Sequence, residues 1–554
     1  MTTTNFNVEQ CFLGLTKSYL KESDAVLAKS YDPADRASVT PFYEQKTYLI
    51  AGELREWKGE TTRVFSPVCY EDGTRIEIGS YPNQGINEAL EAQTAAVAAY
   101  SNGQGAWPSM GLTKRIECLQ EFVRLMKEKR LEVINLLRWE ICKNYTDSAK
   151  EFDRTVEYIE NTIEAAKDID HDASRLLNEE GIIAQIRRAP LGVVLCMGPF
   201  NYPLNETYAT LIPALLMGNV VIFKPPRYGI LLHAPLLEAF QKAFPAGVVN
   251  AIYGDGRVII SPLMTSGKID VLAFIGTSKV ANILKHQHPY PNRLRCVLGL
   301  DAKNPAIILP DADIEQTAKE CVTGALTFNG QRCTALKILF VHKSILEAFT
   351  AKFTDLVEKV YIGVPQHGSA DALITPLAED NKIEWLQGLI KDAVDKGAKV
   401  INPSGGANYK TLFFPAVVCP VTSEMRLYRE EQFGPVVPIV PYEDPSEVLD
   451  YVLQSNYGQQ ISIFGKRDIS KLIDPLSTQV SRININCQCQ RGPDSYPFTG
   501  RKDSAEGTLS ITDALEVFSI RAMVAAKATD LNKIIITDIL RNRQSQFLSR
   551  DFIL

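Results

Sequence analysis

Between residues 191 and 300 the apolar positions fall in short unbroken runs: GVVLCMGP, NVVIFKPP, VVNAIYG, IDVLAFIG and LRCVLGL. The segments between them, such as ETYATLIPALLMG, HAPLLEAFQKAF and TSKVANILKHQ, carry helical patterning instead. Strands buried on both faces read as continuous apolar runs, and strands alternating with helices build βαβ units around a parallel sheet. Right-handed crossovers then give a doubly wound α/β architecture.

The alternation restarts after Lys303 with NPAIILPDAD, IEQTAKECVTGALTF, KILFVH and ILEAFTAKFTDLVEKV, and runs to QISIFG and SRININ. A second α/β lobe is therefore expected. Upstream, 112–140 reads as one surface helix and 146–168 as another, from apolar positions at helical spacing. Past residue 513 two β-rich runs, EVFSIRAMVAA and NKIIITDIL, have nothing left to close. The strand-like GIIAQIRRA at 181–189 is a candidate companion edge, and a C-terminal strand paired across subunits points to oligomerisation. The expected division is an arm at 1–46, a first α/β domain at 47–298 with a hairpin near 178–192, a second domain at 299–500, and a C-terminal oligomerisation segment and tail at 501–554.

Composition narrows the function classes. Hydrophobic residues are 45% and charged residues 22% of 554, ordinary for a globular protein. A net charge of −6 argues against a general nucleic-acid binder but leaves room for a local anion pocket. No run is long enough for a membrane span, and MTTTNFNVEQ has no secretory pattern. Eleven scattered cysteines do not read as a disulfide framework, so a reducing, cytoplasmic setting is expected. Cys487 and Cys489 lack companions at metal-ligand spacing, and no metal is expected.

Three segments carry candidate chemistry. In Asn329-Gly-Gln-Arg-Cys-Thr-Ala335 a thiol, Cys333, follows a cation, Arg332, which favours the nucleophilic thiolate. Taken alone, a cytosolic cysteine is more often inert packing. Gly198-Pro199-Phe200-Asn201-Tyr202 follows a strand directly, where ligands bind in parallel sheets, and the Asn201 amide can donate to an oxyanion. Lys224 and Arg227 end the next strand, where a cofactor's ribose and phosphate would lie.

The chain resembles the aldehyde dehydrogenase superfamily over nearly its whole length. MGPFNYPLN, PALLMGNVVIFKPP, FIGTSKVA, AKNPAIILPDAD, NGQRCTALK, EEQFGPV and QRGPDSYPFTGRKDS occur in that family's order and spacing. Within it, FNYP, GQRCTA and RGPDxxPF are most similar to the NADP-dependent non-phosphorylating glyceraldehyde-3-phosphate dehydrogenases. The resemblance implies a Rossmann-type cofactor domain, a second catalytic domain and a β oligomerisation arm. Cys333 would attack the aldehyde to give a thiohemiacetal and then a thioester, with Asn201 and the Cys333 N–H holding the oxyanion. It places Pro199, Phe200, Lys224, Gly256, Gly276, Thr277, Glu431 and Phe433 around the cofactor. Arg227 stands where NAD-preferring members often place a glutamate, which favours NADP, with NAD possible. Arg154, Tyr202, Arg332 and Arg491 match positions that take a substrate phosphate, Thr334 is placed with the substrate, and a homodimer or homotetramer is implied.

One departure is chemical. The family supplies a glutamate base against the thioester, and here that position is Gly299. Asp301, two residues on, would share a face with it on an extended strand and is a candidate base, or it merely fills a turn. Glu506 is a weaker candidate. The alternatives are an acylating, coenzyme A-dependent enzyme, or a catalytically weakened member with a binding role.

Overall fold

The computed structural model describes residues 42–70, 72–364 and 372–550. The arm expected at 1–46 therefore lies almost wholly outside the described residues. Among these residues, no helix is long and apolar enough to cross a membrane.

Two parallel sheets organise the molecule. The first is built on β1 (Val193–Met197), β2 (Val220–Lys224), β3 (Val249–Ala251), β4 (Val271–Ile275) and β5 (Arg295–Gly299), in the order β5-β4-β1-β2-β3. Every residue of β1 and β2 is buried, as their unbroken apolar runs require. Antiparallel strands extend both edges: Thr47–Ile50 and Glu53–Glu56 beyond β3, and Ala505–Glu506 beside β5. Chain order reverses on the two sides of β1, a topological switch point, so the loop leaving β1 opens where such sheets bind ligands.

The second sheet has seven strands. β6 (Pro305–Ile308) and β7 (Ile338–His342) lie at its centre, and its edge strand Lys399–Val400 is antiparallel. Five helices position the site: α1 (Tyr145–Ala173), α2 (Asn205–Leu216), α3 (Gly256–Thr265), α4 (Ser278–Gln287) and α5 (Ile314–Leu326).

Three sequence expectations need correction. The stretch 112–140 is two helices, Leu112–Glu128 and Arg130–Glu140, separated at Lys129. The second is no surface helix, because every residue from Val133 to Glu140 is buried. At the C-terminus, Ser519–Lys527 is a strand, but NKIIITDIL belongs to helix α6 (Asp530–Arg541). Thr529 caps that helix by accepting the Asn532 N–H at 3.3 Å, a local start signal that outweighs the β-propensity of three successive isoleucines. Finally, Ser519–Lys527 pairs antiparallel with Ile182–Pro190 of the same chain, so that edge finds its companion within the subunit.

Candidate active site

The loop leaving β1 is held from below by a buried ion pair. Lys143 and Glu151 are both fully buried and joined to each other. Glu151 Oε1 accepts the backbone N–H groups of Leu204 at 3.0 Å and Asn205 at 3.2 Å, capping α2, whose first amides lack helical partners. Lys143 Nζ donates to the Asn201 carbonyl at 2.7 Å and stands 3.6 Å from the centre of the Tyr202 ring.

The loop that carries Cys333 follows α5. Phe328, Asn329 and Gly330 take left-handed backbone conformations in succession, with φ of 50°, 59° and 67°. Only Gly330 does so without a side-chain penalty. The Asn329 side chain secures the turn: its Oδ1 accepts the Thr375 N–H at 2.8 Å and its Nδ2 donates to Thr375 Oγ1 at 3.0 Å. Asn201 Nδ2 donates to the Gln331 carbonyl at 2.8 Å, and Asn304 Nδ2 donates to the Cys333 carbonyl at 2.7 Å. The loops of Asn201 and Cys333 are thus brought together, with the Asn201 amide turned onto the Cys333 loop.

Burial pushes the Cys333 thiol up to about 11. The carboxylates of Glu206 and Glu431 push the same way, while Lys337 and Arg491 oppose them. The expectation that Arg332 activates the thiol is not met. Its guanidinium turns to the last turn of α5, donating to the Gly324 carbonyl at 2.9 Å and the Thr323 carbonyl at 3.3 Å, a favourable place for a cation. Thr334, next in the chain after Cys333, is buried.

Glu431 lies between Lys337 Nζ and the Ala302 N–H, the latter at 3.2 Å. Lys337 also reaches the Cys333 carbonyl at 3.4 Å. Phe433, at φ 43°, meets Phe200 edge-on at 5.8 Å between ring centres.

Asp301 does not face the thiol. Strand β5 ends at Gly299, so alternation no longer carries to position 301. Asp301 Oδ2 instead accepts the Ser278 N–H at 2.7 Å, in the first turn of α4. Glu506, in the short strand beside β5, is ion-paired with Lys285 at 2.5 Å.

Two of the three proposed phosphate arginines come together. Arg154 makes two bonds to Asp494, at 2.8 and 2.6 Å. Arg491 is buried, faces Phe498 and is ion-paired with Glu206 and, at 3.5 Å, with Asp494. Arg332 stands apart on its helix carbonyls.

A cleft of about 460 Å³ opens at the ends of β1 and β2, walled by Lys224, Asp255, Gly256, Arg257, Ile260 and Phe274. Burial draws the Lys224 ammonium down to about 8, and among the described residues it has no salt bridge. Gly256 opens α3, and Thr277, after Gly276, caps α4 by accepting the Val280 N–H at 3.3 Å. Arg227 is largely exposed and paired with Asp380 at 2.9 Å, and Arg257 is the arginine in the cleft wall.

Sequence reasoning missed Lys143, Glu151, Glu206 and Lys337. Glu206 reads as an ordinary first-turn acid of a helix. In the structure it stands in a segment, Asn205–Leu216, whose every residue is buried.

The aldehyde dehydrogenase family model matches residues 57–524. An NADP-dependent glyceraldehyde-3-phosphate dehydrogenase of Streptococcus equinus is 34% identical over 86% of this chain and 96% of its own. The enzyme of that name from Apium graveolens is 30% identical over 86% of this chain and 94% of its own. Among solved structures, the NADP complex of the Bacillus halodurans C-125 NADP-dependent glyceraldehyde-3-phosphate dehydrogenase shares 32% identity at a TM-score of 0.81, covering 88% of this chain and all of that one. With a thiol, an asparagine amide and a cleft at the switch point arranged as described, the chain belongs to the aldehyde dehydrogenase family of oxidoreductases acting on aldehydes.

Proposed function

We propose that the protein oxidises a phosphorylated aldehyde, glyceraldehyde 3-phosphate, to 3-phosphoglycerate with NADP. The observation that carries this reading is Arg491. Despite its ion pairs, none of its three buried guanidinium nitrogens makes a well-formed hydrogen bond among the described residues. Buried donors left so are rare in native proteins, and guanidinium groups match phosphate oxygens bidentately. Arg154, sharing Asp494 with Arg491, supplies a second cation, and Tyr202 and Thr334 complete the substrate's surroundings. The names of the relatives point the same way.

Lys224 supports the cofactor. A buried ammonium without a salt bridge, at the wall of a cleft, suits the ribose and phosphates of a dinucleotide. Pro199, Phe200, Arg227, Gly256, Gly276, Thr277, Glu431 and Phe433 complete that set. A bound nicotinamide supplies the hydride acceptor. Cys333 forms the thiohemiacetal and retains the acyl group as a thioester, and Asn201 with the Cys333 N–H holds the oxyanion. The same reading places the enzyme in the cytoplasm as a homodimer or homotetramer.

The test is NADPH formation on adding glyceraldehyde 3-phosphate without inorganic phosphate or coenzyme A. A strict requirement for coenzyme A selects the acylating reading, which the bare position 299 favours. A further result is expected from Lys224. Its charged form binds the anionic cofactor, and its free-state value is about 8. NADP affinity measured by titration calorimetry therefore falls as pH rises above about 8, and Lys224→Met weakens binding roughly 10- to 100-fold at pH 7. Affinity independent of pH between 7 and 9.5 rejects the contact.

A further inference from the structure

Arg154 and Arg491 come from distant parts of the chain and meet on one oxygen. Asp494 Oδ1 accepts Arg154 Nη2 at 2.6 Å and lies 3.5 Å from Arg491 Nε, while Asp494 Oδ2 accepts Arg154 Nε at 2.8 Å. Among the described residues, these two arginines are the only side chains that hold the Asp494 carboxylate. Burial alone would raise its carboxyl, but the two guanidinium groups keep it below its usual value, so it is charged at neutral pH.

Arg491 is fixed more firmly than Asp494. Arg482 Nη1 donates to the carbonyls of Gln490 at 3.0 Å, Arg491 at 3.3 Å and Gly492 at 3.1 Å. The Arg491 guanidinium also stands 4.8 Å from the centre of the Phe498 ring. A groove of about 1040 Å³ runs along α1, walled by Lys150, Arg154 and Glu157 and by Gly492, Asp494 and Ser495. Arg491 itself is buried and does not line it. Asp494 is thus the carboxylate that both faces the groove and touches Arg491.

We propose that Asp494 is a tethered competitor for the substrate's phosphate: its carboxylate fills the anion site of the free protein, gives way to the arriving phosphate, and retakes the arginines when the phosphorylated product leaves. The inference rests on the phosphorylated-aldehyde reading above. Asp494 Oδ1 marks the point that both guanidinium groups reach, which is where a phosphate oxygen bridging them must sit. A phosphate monoester brings about two negative charges and three acceptor oxygens. It satisfies the Arg154 edge that Asp494 now occupies, and the Arg491 nitrogens that Asp494 leaves without well-formed bonds. A ligand that binds only when Asp494 has turned away binds with an affinity reduced by the fraction of time that state is populated. The tether therefore weakens substrate and product alike and speeds product release.

Binding of inorganic phosphate to the cofactor-free protein tests this. By calorimetry, Asp494→Asn is expected to bind one phosphate per chain about 10-fold more tightly than the parent. The gain is expected to vanish in Asp494→Asn/Arg491→Met. An affinity equal to or weaker than the parent's means that Asp494 only orients the arginines, and overturns the proposal. A gain that survives loss of Arg491 overturns it too. Should Asp494→Asn not fold, a crystal structure of the parent with phosphate decides. A phosphate oxygen is expected in the place of Asp494 Oδ1, with the Asp494 side chain turned into the groove. Phosphate held by both arginines with the Arg154–Asp494 bonds intact overturns the proposal. Neither measurement needs NADP or turnover, so failure of the glyceraldehyde 3-phosphate assay leaves both standing. Conversely, turnover of that substrate without a gain in Asp494→Asn rejects the competitor and keeps the dehydrogenase reading.

Discussion

Cys333→Ser lowers aldehyde oxidation by on the order of 10⁴-fold while leaving the melting temperature unchanged. A hydroxyl keeps its proton far above the pH at which a thiol ionises, so the attack that opens the reaction is lost. The parental thiol gives a companion result. Its value is raised to about 11, chiefly by burial, so little thiolate exists at neutral pH. The rate of Cys333 alkylation by iodoacetamide in the cofactor-free protein therefore climbs about tenfold per pH unit from pH 7 upward, levelling only near 11. A plateau below pH 8 contradicts this account and restores an activating cation at Arg332.

The second large effect is on stability. Lys143→Met leaves the buried Glu151 carboxyl without its cationic partner. Breaking a buried pair on one side typically costs about 3–5 kcal/mol. Equilibrium denaturation measures that loss, and a change below about 1 kcal/mol would reject the role assigned to the pair. Activity is expected to fall as well, because the Asn201 carbonyl loses its ammonium donor and the loop that carries the Asn201 amide loosens. The double variant Lys143→Met/Glu151→Leu recovers only part of the stability, since Glu151 also caps α2 through the Leu204 and Asn205 amides.

The sheets were legible because their signal is local. GVVLCMGP and NVVIFKPP become β1 and β2, buried throughout, and the prolines after Lys224 stop the second where its run stops. Cys333 and Asn201 stand in motifs, and the structure brings their two loops together. What failed depended on direction or on distance along the chain. Arg332 neighbours Cys333 in sequence, yet its guanidinium serves the end of α5. Asp301 was placed by strand periodicity two residues after the strand had ended. The pairing of Glu206 with Arg491 joins residues 285 positions apart, and no local pattern signals it. NKIIITDIL shows the converse case, where a cap at Thr529 decides between helix and strand for a run that composition alone reads as β.

The three left-handed residues before the nucleophile have a consequence for timing. Holding Phe328 and Asn329 at positive φ costs on the order of 1–3 kcal/mol each. That cost is met once, when the chain folds and Asn329 closes onto Thr375. The loop that carries the Cys333 sulfur is therefore set before any ligand arrives. Amide hydrogens of this loop should exchange as slowly as those of the sheet interior, whether or not substrate is present.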